Sequence, residues 1–258
     1  MERILILGTV PKSKRRVSLL LKKRDTFPIR IGTVPIILLI FAILSLNLSG
    51  CCRPPKDPYE VLRTELKDKA VDFKVEYLID VIQGSATARE KKAAVRLLSE
   101  IGKPSVAAII EKIKDDKTRH RDDYLLALKL IGGPAAADVI TLLHSDKPLV
   151  REEAFAVLLA IGKDGVSELI KSLRKDKKDI RPTIISLLAT IKDRRAAEPL
   201  SNIFMDVTED SKIREQALAA LVSIGKPAVP YLAQALHSKD EETKKAASLA
   251  IERIGRGR

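Results

Sequence analysis

Tryptophan is absent, histidine occurs three times, and aromatic residues make up 3% of the 258 positions. That poverty leaves no stacking platform for single-stranded nucleic acid or for a carbohydrate groove, so no nucleic-acid partner is expected. The only two cysteines, Cys51 and Cys52, are adjacent, so they cannot build a disulfide framework, a C-x-x-C redox pair or a zinc knuckle. His120, His144 and His237 stand alone, with no His-Glu pair and no i, i+4 partner, and no Gly-x-Ser-x-Gly, phosphate-binding loop or dinucleotide fingerprint occurs. Neither a catalytic residue nor a metal or cofactor site is expected. Hydrophobic residues are plentiful at 45%, too many for a disordered polyelectrolyte, so the chain folds.

Lys and Arg number 47 against 34 Asp and Glu, a formal charge of +13, but residues 1–50 alone carry nine cations and two acids. The rest is only moderately basic, a weak pointer to an anionic partner. After the basic lead comes the apolar run 34–46. It falls short of the roughly 20 residues a membrane span needs and has the size of a signal-peptide core. Leu48-Ser49-Gly50-Cys51 follows and resembles a bacterial lipobox: an aliphatic residue, two small residues, then a cysteine whose thiol takes a diacylglycerol. The resemblance implies cleavage before Cys51, a lipid on Cys51 as the one covalent group, and a body anchored on the outer side of a membrane. Two or three acyl chains suffice for stable residence there. In an organism with two membranes, Cys52 in the next position resembles sorting to the outer membrane, facing the periplasm. An uncleaved helix from near Ile31 is the alternative, and either arrangement exports the body because the positive charge precedes the apolar segment. A start downstream of Met1 would shorten the long lead. Residues 51–56 form a short Pro-containing tether. Asp57, Pro58 and Glu60 then read as a capped helix start, with a capping helix over 57–70. From Cys52 to Asp57 such a chain reaches about 20 Å.

From residue 101 the chain repeats. Ile101-Gly102-Lys103-Pro104, Ile131-Gly132-Gly133-Pro134, Ile161-Gly162-Lys163-Asp164, Ile191-Lys192-Asp193-Arg194, Ile224-Gly225-Lys226-Pro227 and Ile254-Gly255 recur at spacings of 30, 30, 30, 33 and 30, a period of stacked supersecondary units. Six units follow: 71–100, 101–130, 131–160, 161–190, 191–223 and 224–253, with a tail over 254–258. Gly ends one helix in a left-handed conformation and Pro opens the next. Val106, Ile109, Ile110 and Ile113, then Val166, Leu169, Ile170 and Leu173, make one apolar stripe on each first helix. Leu128, Leu158, Leu188, Leu221 and Ile251 mark the second. Thr87 with Glu90, and Ser238 with Glu241, read as capping boxes.

Position 21 of every unit is basic: Lys91, Arg121, Arg151, Arg181, Arg214 and Lys244. Such a row either binds an anionic polymer or, the reading favoured here, bridges neighbouring units, with turn acids such as Asp116, Asp146 and Asp176 nearby. The Leu-rich first helix, acidic turn, Val150-Arg151 or Ile180-Arg181, Ala/Leu second helix and closing Ile-Gly are similar to short HEAT-like repeats of the phycobilisome-lyase type, across about 183 residues. That resemblance implies an all-α, right-handed α-solenoid whose inner face binds an extended protein surface. The function expected is a membrane-anchored, non-catalytic scaffold or adaptor in the cell envelope. The alternative, by family resemblance only, is a lyase or chaperone subunit acting on a cofactor-bearing protein. Equivalent turns of a stack line one edge, which brings together Lys114, Lys117, Arg119, Lys147, Arg174, Lys175, Lys177 and Lys178. This edge is either a solvated lysine-rich surface or a contact for anionic headgroups or an acidic partner.

Overall fold

The computed structural model describes residues 57–115, 117–175 and 180–256. The lipobox-like segment, the tether, Lys177 and Lys178 lie outside them. Among the described residues every regular element is helical. Helix α1 is Pro58–Leu66. Unit 1 contains α2 (Val71–Gln83) and α3 (Ala88–Ile101); unit 2, α4 (Lys103–Lys114) and α5 (Arg121–Ile131); unit 3, α6 (Ala136–Thr141) and α7 (Pro148–Ile161). Unit 4 contains α8 (Val166–Lys175) and α9 (Arg181–Ile191); unit 5, α10 (Ala197–Met205) and α11 (Ser211–Ile224); unit 6, α12 (Val229–Ala235) and α13 (Glu241–Arg256). First helices pack on first helices and second helices on second helices of the adjacent unit, while α1 packs on α3 at the head of the second row. The result is an α-solenoid of stacked two-helix repeats.

The period of 30 works because each unit's apolar stripe is covered by the next. Leu98, Leu128, Leu158, Leu188 and Leu221 are all 0–1% exposed, and full burial of each such side chain is worth about 1.5–3 kcal/mol. Ile251, the equivalent position of unit 6, is only half-buried. Tyr124 is fully buried between the first two units, its hydroxyl donating to the Ile79 carbonyl at 3.5 Å. Burial pushes its pKa up to about 12.

The junctions differ from the expected left-handed stop. Gly102, Gly132, Gly162 and Gly225 have φ of 62–80° but ψ between −131° and −138°, a region that a Cβ makes costly for any other residue. Among these junction residues only Lys192, replacing glycine at the unit 5 junction, adopts the ordinary left-handed conformation (φ 55°, ψ 38°). There Asp193 supplies the stop-and-start chemistry instead, its carboxylate accepting from the Arg195 backbone at 2.9 Å.

Two boundaries are corrected. The capping helix ends at Leu66 rather than at residue 70, with Asp57 accepting from the Tyr59 amide at 3.1 Å. The cap of α13 is Asp240, which accepts from the Thr243 amide at 3.1 Å, whereas Ser238 accepts from the Asp240 amide at 3.2 Å. The Thr87–Glu90 capping box is present in full.

Candidate functional site

The helix ends create two edges. The turn edge joins first to second helix within a unit, and the junction edge carries the Ile-Gly links between units. The row of basic residues at position 21 lies just behind the turn edge, where each first helix leaves carbonyls without intrahelical donors. Arg121 donates to the Asp115 carbonyl (3.4 Å), Arg151 to Ser145 (2.7 Å), Arg181 to Leu173 (3.4 Å) and Arg214 to Phe204 (3.0 Å). Most of the row also reaches the next unit. Lys91, 9% exposed, donates to His120 Nε2 at 2.7 Å. Arg121 pairs with Glu153 at 2.7 Å, Arg181 with Glu209, and Arg214 with Asp240 at 3.4 Å and Thr243 at 2.7 Å. Arg151 has no next-unit partner among the described residues. Lys244, in the final unit, pairs with Glu241 of its own helix at 2.6 Å. The acids in these bridges are Glu153, Glu209 and Asp240, and the unit 3 turn acid Asp146 is not among them.

The turn edge carries exposed charge of both signs, with the acids Asp115, Asp146, Asp206 and Asp210 among its cations. Lys114, Lys117, Arg119, Lys147, Arg174 and Lys175 are all exposed on it. Lys147 reaches across to the Lys114 carbonyl at 2.7 Å, while Lys114 pairs with Glu111 of its own helix at 3.3 Å. Between units 4 and 5 the loop 206–210, in the unit lengthened by three residues, walls a cavity of about 400 Å³ lined by Arg174, Arg181, Asn202, Asp206, Thr208 and Glu209. The one mark of this cavity in the sequence is the insertion that breaks the period.

The exposed side of the second-helix row is poor in charge through its middle. Leu126, Leu130 and Leu249 are 43%, 56% and 57% exposed, and Ala156, Ala160, Ala219 and Ser223 continue the strip. Leu218, Val222, Ala246 and Leu249 line a groove of about 300 Å³ between α11 and α13, with Glu215 and Arg253 at its margins.

The titratable groups that shift do so for structural reasons. Asp193 is drawn down to about 2, chiefly by its hydrogen bonds from the Arg195 guanidinium at 2.9 Å. That guanidinium also donates to the Lys163 carbonyl at 2.6 Å, tying unit 5 to unit 4. Asp206 is lowered by the Thr208 hydroxyl and amide, and Asp240 by those of Thr243; both are turn carboxylates. Among the described residues no three His, Cys, Asp or Glu side chains gather as a metal site would require.

No curated protein matches the chain. Among solved structures, an engineered protein is 20% identical and covers 78% of this chain and 97% of its own (TM-score 0.34). A designed armadillo repeat protein is 18% identical and covers 70% and 99% (TM-score 0.32). Human deoxyhypusine hydroxylase in complex with glycerol is 15% identical and covers 86% and 91% (TM-score 0.39). Residues 166–252, which span units 4 to 6 almost completely, match the HEAT repeats family.

Proposed function

We propose that the protein is a membrane-anchored scaffold with no reaction of its own, held by lipid on Cys51 and binding an acidic protein partner through the cations of the turn edge. The observation that carries this reading is the contrast between the two sets of polar groups. Arg121, Arg181 and Arg214 are engaged by carbonyls and carboxylates of the stack, whereas the turn-edge cations Lys117, Arg119, Arg174 and Lys175 stand exposed. A patterned charge that the fold does not use favours an opposite charge on a partner. HEAT repeats commonly serve protein interactions, because a stack offers a long surface made of equivalent positions. The pKa-shifted carboxylates are all turn or junction caps, which supports a role without acid–base chemistry.

The test is crosslinking in intact cells followed by capture of the protein. Replacing Lys117, Arg119, Arg174 and Lys175 together with Glu is expected to remove at least nine-tenths of the main crosslinked partner. The same partner recovered in full from the charge-reversed protein would overturn the turn edge as the binding surface.

A further inference from the structure

The N-terminal corner of the solenoid, on the junction edge, combines a cationic cavity, exposed apolar side chains and the root of the tether. We infer that it is a bilayer-contact site in which Arg63, Lys67 and Lys74 hold the phosphate of an anionic phospholipid headgroup. The inference rests on the reading of Cys51 as the anchor. A cavity of about 300 Å³ opens between α1, α2 and α3, with Leu66, Leu78, Leu97 and Ile101 as its apolar floor and Arg63, Lys67 and Lys74 around it. Its one carboxylate, Glu100, is already engaged. Both Glu100 oxygens accept from the Tyr59 hydroxyl, at 2.7 and 2.8 Å, and Arg96 pairs with it at 3.4 Å. Three cations therefore face one carboxylate, a surplus that suits a phosphodiester.

Val71 and Phe73, at the start of α2, are 46% and 49% exposed. In later units a preceding first helix covers this side, but here α1 packs on α3. The Phe73 ring lies 6.2 Å from Tyr77, with Lys69 Nζ 5.8 Å from its centre. An apolar ring under an ammonium group is the arrangement by which side chains settle at the level of lipid headgroups. Asp72 stands exposed between Val71 and Phe73, and Glu76 and Asp80 follow about one and two turns along α2, which limits insertion to the Val71 and Phe73 side chains. Glu65, on α1, is occupied by the Tyr77 hydroxyl at 3.4 Å.

The tether brings this corner to the membrane. Tyr59, two residues after Asp57, touches Glu100 at the end of α3, so the chain enters the fold beside the cavity. The short tether keeps this entry within about 20 Å of the lipid. The turn edge lies at the other end of the helices, about 18 Å away for a 12-residue helix. Of the two edges, the corner is therefore the one nearer the anchor, and the turn edge is left for a partner.

The experiment uses the full chain carrying Phe73→Trp, whose indole is the only one present because the chain has no tryptophan. It is reconstituted with vesicles of brominated phosphatidylcholine alone or with about one-third brominated phosphatidylglycerol, a lipid whose charge the surface potential makes attractive to lysine and arginine. Phosphatidylglycerol is expected to shift the indole emission to the blue and to raise quenching at least threefold. Adding Arg63→Glu, Lys67→Glu and Lys74→Glu is expected to abolish the difference while the protein still floats with the vesicles. If that variant does not fold, high salt applied to the Phe73→Trp protein must erase the difference instead. Equal quenching in both vesicles, or an undiminished response in the charge-reversed protein, overturns the site. So does millimolar inorganic phosphate giving the same shift without vesicles, which would assign the pocket to free phosphate. A chain that floats with neither vesicle removes the anchor. The corner then stands only if soluble short-chain phosphatidylglycerol still shifts the indole, and falls if it does not.

Discussion

Arg121 Nε donates to Glu153 Oε1 at 2.7 Å across the boundary of units 2 and 3, with the two side chains 18% and 12% exposed. Arg121 Nη2 and Glu153 Oε2 are buried without a hydrogen-bonding partner among the described residues. The pair is thus largely desolvated and only partly satisfied, so its members depend on each other more than the stack depends on the pair. Removing one charge should cost about 3 kcal/mol, near the low end for breaking a buried pair, whereas replacing both with apolar residues of similar size should be nearly neutral. Urea unfolding of Glu153→Ala and of Arg121→Met with Glu153→Leu checks this. Equal losses in the two proteins would contradict it.

The junction glycines yield a second expectation. A Cβ at Gly132 would meet no atom within 4 Å, so the cost of Gly132→Ala is purely conformational, about 1–3 kcal/mol for a residue forced into that region. Lys192 already occupies its left-handed position without glycine, so Lys192→Ala should change stability by less than about 0.5 kcal/mol. Thermal denaturation of the two variants separates them, and a similar fall in both would show that the two junctions are equivalent.

Asp193 makes the unit 4–5 tie sensitive to acid. Its folded pKa is depressed, from 3.8 to about 2, so its contribution is present above pH 4 and is lost as pH falls from 4 through 2. Because the Arg195 side chain is 47% exposed, solvent screening leaves about 1 kcal/mol of that contribution. Asp193→Asn should therefore be less stable than the parent at pH 7, with the gap mostly closed by pH 2 and gone below it. A stability gap independent of pH between 2 and 7 would refute the assignment.

What the sequence revealed follows from what is local. The Ile-Gly spacing and the 3, 1, 3 apolar stripe depend on helix geometry within one unit, and Val106, Ile109, Ile113, Leu128 and Leu158 are accordingly buried at 0–1% exposure. The cap of α13 was misplaced because Ser238 and Asp240 are both competent caps and only the length of the turn chooses between them. The conformation of Lys192 was hidden because lysine carries no signal for a positive φ. Partner choice along the basic row was also out of reach. Arg121 bonds 32 residues ahead and Arg181 bonds 28 ahead, so the offset follows the local turn length and the insertion rather than the period. The cationic corner depends on where α1 docks, a tertiary fact that periodicity does not carry.

The most direct measurement is the intact mass of the native protein recovered from fractionated cells. The account predicts a membrane-bound chain that begins at Cys51 and carries a diacylglycerol, with or without a further acyl chain. A soluble chain that retains residues 1–50 and no lipid would contradict it.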